Sequence, residues 1–167
     1  MSDIYTIIDS PIGELLLGAA APGAPLRRLW FFSDDVNRRA GKIDPCWRRE
    51  DGGFDDVRRQ LAEYFAGARR AFDLELELIG TDWELRVWGA LREIPYGETR
   101  SYGEIGASVC TVRAARAVGL ANGRNPVAVI VPCHRVIGSD GRLTGFGGGL
   151  PRKRALLDLE AGRLALA

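Results

Sequence analysis

The 167-residue chain is poor in the residue types from which metal sites and disulfide frameworks are built. It has one histidine, His134, and three widely spaced cysteines, Cys46, Cys110 and Cys133, with no C-x-x-C pair. A structural zinc site needs four such ligands at workable spacing, which this chain does not supply. An odd number of distant cysteines also argues against a disulfide framework. We therefore expect no metal and no disulfide.

Long apolar segments are absent as well. No apolar run approaches the ~20 residues needed to span a bilayer, and the first residues, Met1–Tyr5, lack the basic-then-apolar pattern of a signal peptide. Hydrophobic residues make up 46% and charged residues 27% of the chain, as is usual for soluble globular proteins. The sequence therefore predicts a cytoplasmic protein without a membrane segment.

Charge is distributed unevenly behind the formal net charge of +1. Residues 1–81 carry a balance of −3 and residues 82–167 a balance of +4. Within 100–154 there are nine basic residues and only two acidic ones, Glu104 and Asp140. Such a basic region fits a polyanion partner such as DNA, and from charge alone it fits a solvated surface equally well.

The first half of the chain predicts a small α/β domain over residues 1–81. Three apolar, β-favouring runs predict the strands of a short antiparallel sheet over 4–9, 14–18 and 26–32. Residues 33–52 are polar and predict a loop. Apolar residues then recur at helical spacing from Phe54 to Phe65, and Phe72–Leu78 alternates as a half-buried strand does.

The second half predicts a mostly helical domain over residues 82–167, so that the whole fold is of the α+β or α/β class. Two capping boxes, Thr81–Glu84 and Ser101–Glu104, each open a helix, and a third helix is predicted from Val112 to Leu120. Two short helices with a tight junction indicate a helix-turn-helix over about 101–122, although many helix pairs share this pattern. The remaining predictions are a buried strand over 127–131, a glycine-rich loop over 145–149 and a last helix over 151–162.

Cys133 differs from the other cysteines in its surroundings. It follows the apolar run and stands between Pro132 and the dipeptide His134-Arg135. A thiol becomes a strong nucleophile as thiolate, a form that a nearby base or cation favours. We therefore interpret Cys133 as a nucleophile and Cys46 and Cys110 as buried small apolar residues.

Several motifs in the correct order resemble the O6-alkylguanine-DNA alkyltransferase family. The segment Val131–Gly138 is similar to its active-site signature, Pro95–Tyr102 to the entry of its helix-turn-helix, and Arg113–Gly119 to its recognition helix. Asn125-Pro126 stands at the expected interval before the cysteine. The resemblance is dense over about 80–160 and looser over Ser10–Gly13 and Tyr64–Gly67.

The resemblance implies a direct-reversal DNA repair enzyme. Such a protein flips O6-alkylguanine out of duplex DNA and transfers the alkyl group irreversibly to its own cysteine, here Cys133, once per molecule. O6-methylguanine is the expected main substrate, and O4-methylthymine is a further candidate. Double-stranded DNA is the expected partner, without a cofactor, and the protein is expected to act as a monomer.

The resemblance also assigns roles to individual residues. Cys133 accepts the alkyl group, His134 takes the thiol proton through a water, Glu160 orients His134, Asn125 braces the turn, and Tyr102 donates to the extruded guanine. The expected DNA contacts are Arg116, which enters the duplex, and Arg113, Ala115, Arg124 and Arg135. The expected base pocket consists of Tyr102, Val136, Phe146, Gly147 and Gly148. We expect His134 and Glu160 to lower the pKa of Cys133 below the free-thiol value of about 8.5.

Three positions depart from the family pattern, and two other functions are compatible with parts of the sequence. Phe146 and Gly147 lack hydroxyls that some members carry there, and Cys110 begins a turn that usually has glycine and proline. A cysteine hydrolase would use the same nucleophile but would need a histidine placed by the fold and an oxyanion hole. A non-catalytic binder of alkylated DNA would keep the scaffold but replace the reactive cysteine.

Overall fold

The computed structural model describes residues 2–32, 43–110 and 114–166. A four-stranded sheet forms the first half, in the order β3-β2-β1-β4. Its strands are β1 (Ile4–Ile8), β2 (Leu15–Ala19), β3 (Leu26–Phe31) and β4 (Arg48–Arg49). The first three pair antiparallel as predicted, and β4 pairs parallel with β1. The sequence did not predict β4, because two exposed arginines show no alternating pattern.

Helix α1 (Asp55–Phe65) follows the sheet and buries the face predicted from its helical spacing, including Val57, Leu61 and Tyr64. The strand predicted at Phe72–Leu78 is wrong. Its side chains alternate in exposure only from Phe72 to Leu76, and the segment makes only an isolated bridge, from Leu76 to Leu26 of β3. The same edge of β3 also pairs with Val127, through Leu29. This second contact leaves no room for a full strand at Phe72–Leu78.

The second half contains the helices α2 (Asp82–Arg92), α3 (Tyr102–Val109), α4 (Ala115–Gly123) and α5 (Leu150–Glu160), and a short parallel pair of strands, β5 (Arg100–Ser101) and β6 (Val136–Ile137). Both predicted capping boxes are formed, by Thr81 with Glu84 and by Ser101 with Glu104. Thr111, Val112 and Arg113, at the junction before α4, lie outside the described residues. A sheet in the first half and helices in the second give the predicted α+β class.

Two tryptophans fix α4 against α2. The indole Nε1 of Trp83 donates to the Ala117 carbonyl at 3.2 Å, and that of Trp88 donates to the Ala121 carbonyl at 2.9 Å. Helix α4 extends to Gly123, three residues beyond the predicted end at Leu120. The pair α3 and α4, the α3–α4 unit, thus packs on α2.

The strand predicted at Val127–Val131 is also wrong. The segment is a buried turn that touches β3 through a single bridge between Leu29 and Val127. Leu29 donates its N–H to the Pro126 carbonyl and accepts from the Ala128 N–H, each at 2.9 Å. Apolar composition alone does not separate a buried strand from a buried turn. These bonds join the first-half sheet to the segment that leads to Cys133.

The two halves share one hydrophobic core, which includes Leu29 and Tyr64 from the first half and Val87, Val127 and Leu156 from the second. Within the described ranges, no helix has both the length and the apolar character that crossing a membrane requires. The described residues also contain no group of three histidine, cysteine, aspartate or glutamate side chains able to hold a metal ion.

Candidate active site

Cys133 begins a 3-10 turn, Cys133–Arg135, and lies in the wall of a cavity of about 560 Å³. That volume falls in the range of small-molecule sites. Cys133 is 5% exposed, whereas Cys46 and Cys110 lie at the surface, so the prediction that those two are buried is wrong. The other lining residues come from β3, the end of α4 and the glycine-rich loop: Trp30, Phe31, Asn122, Gly123, Arg124, Asn125, Ala128, Phe146, Gly147, Gly148 and Gly149.

Asn125 closes the turn that carries Cys133. Its side-chain oxygen accepts from the Val127 N–H at 3.0 Å, and its side-chain nitrogen donates to the Val131 carbonyl at 2.8 Å. Between these two anchors, Val129 has a φ of 69°, a conformation that is costly for a β-branched residue. One amide side chain therefore holds a strained backbone segment directly before the thiol.

Glu160 lies behind Cys133 at the centre of a buried network. Its carboxylate accepts from Tyr64 Oη at 2.7 Å and from Arg135 Nε and Nη2 at 2.9 Å each, and it contacts His134 Nε2 at 2.8 Å. Burial by itself raises the pKa of Glu160, but the hydrogen bonds and charges of His134 and Arg135 outweigh it and hold that pKa well below the usual range. Glu160 is thus ionised.

The bond to Glu160 determines the proton position on His134. An ionised carboxylate only accepts, so Nε2 carries the proton and Nδ1 keeps its lone pair. Nδ1 is buried and has no hydrogen-bond partner among the described residues. Burial lowers the pKa of His134, although the bond to Glu160 acts in the opposite direction. The ring is therefore a neutral base with its accepting nitrogen free.

The thiol itself does not have the lowered pKa that we expected. Burial raises the pKa of Cys133, while the Asn125 side chain, the charge of Lys153 and two backbone N–H groups act in the opposite direction. The expectation that His134 and Glu160 lower this pKa is wrong, because burial dominates, Glu160 is not among the groups that oppose it, and His134 opposes it only through its backbone N–H. At neutral pH the resting residue is a thiol rather than a thiolate.

Lys153 is the buried cation of the site. It is completely buried and donates to the carbonyls of Val136 at 2.6 Å and Thr144 at 3.0 Å. Burial lowers the pKa of Lys153, and the neighbouring Cys133 acts in the opposite direction. Sequence reasoning missed this residue. The sequence did contain a signal for Lys153, because it is one of only two lysines in a chain with 21 arginines. Lysine and arginine are not interchangeable, so a lysine in such a chain indicates a specific role.

The structure brings only part of the predicted base pocket to the cavity. Phe146, Gly147 and Gly148 line it together with Cys133, whereas Tyr102 and Val136 do not. The Tyr102 hydroxyl donates to the Thr144 carbonyl at 3.0 Å, and Val136 is fully buried. The two glycines also differ. A Cβ at Gly148 would lie 2.5 Å from the Phe31 ring, but one at Gly147 meets no atom of the described residues within 4 Å.

The predicted DNA contacts fall into three groups. Ala115 and Arg116 lie at the start of α4, where Arg116 is exposed, and Arg113 lies outside the described residues. Arg124 is exposed and lines the cavity, with an ion pair to Glu84 at 3.3 Å. The prediction for Arg135 is wrong, because its guanidinium is buried against Glu160 and also donates to the Ile94 carbonyl at 2.7 Å.

Three first-half residues at the site, Trp30, Phe31 and Tyr64, were not predicted as site residues. Tyr64 lies in a segment with a loose family likeness, which was the only available signal. Phe31 ends a strand with no feature that marks it as part of a pocket. Their contacts with the second half join positions 96 residues apart for Tyr64 and Glu160 and 121 apart for Phe31 and Arg152, and no spacing rule in the sequence reveals these.

Two family models together match most of the chain. Residues 4–78 match the 6-O-methylguanine DNA methyltransferase, ribonuclease-like domain, and residues 82–162 match the 6-O-methylguanine DNA methyltransferase, DNA binding domain. The chain is 54% identical to a methylated-DNA–protein-cysteine methyltransferase of Mycobacterium tuberculosis, covering 95% of this chain and 93% of that protein. It is 50% identical to the protein of that name from Methanosarcina barkeri, covering 96% and 98%. The structure of Mycobacterium tuberculosis OGT in complex with DNA has a TM-score of 0.86 and 53% identity, covering 96% of this chain and 94% of that one.

Proposed function

This chain belongs to the 6-O-methylguanine DNA methyltransferase family, and from that membership we propose that Cys133 accepts an alkyl group from the O6 atom of guanine in DNA. The family activity is alkyl transfer to a cysteine of the protein itself, so the chain is an alkyltransferase that repairs DNA. The observation that carries the choice of acceptor is the position of Cys133 in the cavity wall, whereas Cys46 and Cys110 are exposed.

The chemical step is an in-line displacement at a saturated carbon. The bond from Cys133 Sγ to the alkyl carbon forms while the bond from that carbon to O6 breaks. The electron pair of the broken bond passes to the purine, which gains a proton in exchange for the one that the thiol loses. Donors near the purine stabilise the charge that develops there.

His134 is the base for the thiol proton in this proposal. Its Nδ1 has a free lone pair, and Glu160 fixes the ring by accepting from Nε2. A water between Sγ and Nδ1 relays the proton, as a bridging water does between groups that do not meet directly. Glu160 stabilises the imidazolium once it forms, whereas the charge of Arg135 acts against it.

Lys153 and Tyr102 supply the remaining electrostatic help. Lys153 uses two of its three donors on carbonyls and places its positive charge near the thiol, which favours thiolate formation during the reaction. Tyr102, whose ring centroid lies 5.9 Å from Lys153 Nζ, lies outside the cavity lining, so it donates to the leaving purine only after its hydroxyl releases the Thr144 carbonyl and turns toward the base.

Duplex DNA binds to the α3–α4 unit, and the target base enters the cavity by flipping out of the stack. Unstacking costs about a few kcal/mol, which phosphate contacts offset. Arg116 fills the space that the base leaves, while Ala115 allows close approach, and Arg113 and Arg124 contact the backbone. The exposure of Arg116 near the N-terminus of α4 supports this arrangement.

The proposal includes a single turnover and a simple assembly. The product is a thioether, which water does not cleave and which no cofactor is expected to remove. The protein acts as a cytoplasmic monomer, with residues 1–81 as the supporting domain and 82–167 as the DNA-binding and acceptor domain. The two family matches, 4–78 and 82–162, support that division.

The test is to incubate the protein with duplex DNA that contains one O6-methylguanine and to measure the intact protein mass. We expect a gain of one methyl group, mapped to Cys133, with repair reaching a plateau at one equivalent. Cys133→Ala should bind the DNA but not react. Sustained turnover with unmodified Cys133 would instead support a hydrolase, and tight binding without transfer would support a non-catalytic binder.

A further inference from the structure

The turn between β1 and β2, Ser10–Gly13, is a family-like segment to which the proposed function gives no role. The turn is closed by its own bonds. The Ser10 hydroxyl accepts from the Ile12 N–H at 3.3 Å and donates to the Gly13 carbonyl, and the Gly13 N–H donates to the Ser10 carbonyl at 3.1 Å. The Ile12 side chain is buried in the core. The Ile12 carbonyl therefore has a fixed position.

Arg152, in the first turn of α5, reaches this turn from 140 residues further along the chain. Its Nε donates to the Ile12 carbonyl at 2.7 Å, and its Nη1 donates to the Gly148 carbonyl of the glycine-rich loop at 3.1 Å. The guanidinium also lies 5.2 Å from the centroid of the Phe31 ring. Because a planar guanidinium presents its donors in a fixed fork, one side chain sets the distance between the two carbonyls.

Gly13 leaves open the space that the guanidinium occupies. A Cβ at this position would lie 2.6 Å from Arg152 Nη2, so a side chain here would displace the guanidinium. The φ of Gly13 is 109°, a conformation that residues with a side chain rarely adopt. Two independent constraints therefore require glycine here. The turn matches the Arg152 side chain in shape as well as in hydrogen bonding.

The glycine-rich loop depends on this contact for its position. Gly147, Gly148 and Gly149 line the cavity together with Cys133, but they have no side chains that could anchor them. Among the described residues, no hydrogen bond joins residues 145–149 directly to the first half, and Arg152 is the residue that bonds to both. A shift of the loop changes the space left for the base, and a misplacement of about 1 Å can slow a reaction about 100-fold.

We propose that Arg152 and the turn Ser10–Gly13 form a clasp that positions the glycine-rich loop beside Cys133 for alkyl transfer. The proposal rests on the proposed function, in which Cys133 accepts the alkyl group. Arg152 is a positioning residue, because its donors are directed to the carbonyls of Ile12 and Gly148. The clasp determines the rate of transfer and leaves DNA affinity unchanged, whereas an arginine that contacts phosphate contributes to affinity.

The test measures single-turnover methyl transfer at saturating duplex DNA that contains one O6-methylguanine. The plateau counts the folded, competent molecules and the rate constant reports the geometry of the site, so loss of folding is separated from loss of positioning. We expect Arg152→Met to lower the rate constant at least about tenfold, with an unchanged Kd for the DNA. Arg152→Lys should also be slow, because an ammonium group has no planar fork for two carbonyls.

Gly13→Ala tests the other side of the clasp. The added Cβ displaces the guanidinium, so the rate constant should fall as in Arg152→Met, and the double variant should be no slower than either single variant. Gly23→Ala is the matched control. Gly23 lies in the next turn of the same sheet and also has a positive φ, 77°, but a Cβ there meets no described atom within 4 Å. Its rate constant should equal that of wild type.

A wild-type rate constant in Arg152→Met or in Gly13→Ala would overturn the clasp, as would full recovery in Arg152→Lys or multiplied losses in the double variant. A weaker Kd with a lower salt dependence, at an unchanged rate constant, would make Arg152 a phosphate contact and would also overturn it. Arg152 is only half-buried, so Arg152→Met keeps the test informative when Gly13→Ala does not fold. A wild-type protein that transfers no methyl group to Cys133 would contradict the proposed function instead.

Discussion

At the scale of single residues, one buried carboxylate determines which groups carry charge. The Arg135–Glu160 pair is balanced, so His134 can remain a neutral base in a fixed tautomer. The local motif around Cys133 was sufficient to predict His134, and family likeness was sufficient for Glu160. Neither the motif nor the family likeness predicted that the Arg135 side chain is buried. Its orientation is set by Glu160 on α5, 25 residues further along the chain.

Replacement of Glu160 should destabilise the fold in a pH-dependent way. Glu160→Gln leaves Arg135 buried without a charged partner, and we expect the free energy of unfolding to fall by about 3 kcal/mol at pH 7. Because the folded-state pKa of Glu160 lies below the ordinary value of about 4.3, its contribution is fully present above that pH and is lost as pH falls toward the folded-state pKa. Urea unfolding should therefore show the difference from wild type shrinking below about pH 4.

The control for that experiment is Asp158→Asn on the same helix. Asp158 pairs with the exposed Arg163 at 2.8 Å, a surface contact that is worth at most about 1 kcal/mol. Equal losses of stability in the two variants, or a loss that is independent of pH, would contradict the assigned role of Glu160.

Removal of the Lys153 charge should shift the pH profile of alkyl transfer. Thiolate is the reacting form and burial raises the pKa of Cys133, so the wild-type rate should rise from neutral to alkaline pH. Lys153→Met removes a charge that favours the thiolate, and the rise should move up by about one pH unit or more. Arg154→Met, an exposed neighbour on α5, should leave the profile in place. An unshifted profile in Lys153→Met would remove Lys153 from the mechanism.

At the scale of elements, features with local causes were predicted and features with distant causes were not. The capping boxes at Ser101 and Thr81 use only residues within one turn, and both are formed. The segment Val127–Val131 was predicted wrongly because the side chain of Asn125 closes it into a turn. The segment Phe72–Leu78 has the exposure pattern of a strand only as far as Leu76 and lacks a free neighbouring edge over its length.

Helix α4 offers a test of base extrusion. Arg116→Ala should slow repair of duplex DNA by far more than transfer from the free base or from a single strand, because only the duplex must be opened. Arg124→Ala should instead lower the salt dependence of binding by about one unit of slope, as a phosphate contact does. Single-turnover rates on the three substrates distinguish the roles, and an equal loss on all three would exclude extrusion by Arg116.

At the scale of the whole molecule, the first half contributes residues to the cavity beside Cys133 and to the network around Glu160. Leu29 pairs with the backbone on either side of Val127, Tyr64 donates to Glu160, and Arg152 reaches Ile12. Family likeness located the chemistry in the second half and assigned the first half only support. Contacts between the halves involve single atoms on distant residues, so composition and periodicity could not predict them.

A shared core predicts that the two halves unfold together. Each half carries two tryptophans, Trp30 and Trp47 in the first and Trp83 and Trp88 in the second. In urea, within each variant that keeps only one pair, the midpoint by fluorescence should match the midpoint by far-ultraviolet circular dichroism of that same variant. Tyr64→Phe should lower both midpoints together, since it removes a buried hydrogen bond worth about 1–3 kcal/mol. Separate midpoints would show independent domains.

The network around Glu160 also has a consequence for timing during protein synthesis. Tyr64 and His134 are translated 96 and 26 residues before Glu160, so they leave the ribosome without the carboxylate that fixes the imidazole. The base is therefore assembled only after α5 has emerged. A protein that reacts only once would lose its acceptor thiol if it reacted during synthesis. This order of emergence keeps the nascent chain without a positioned base until α5 is complete.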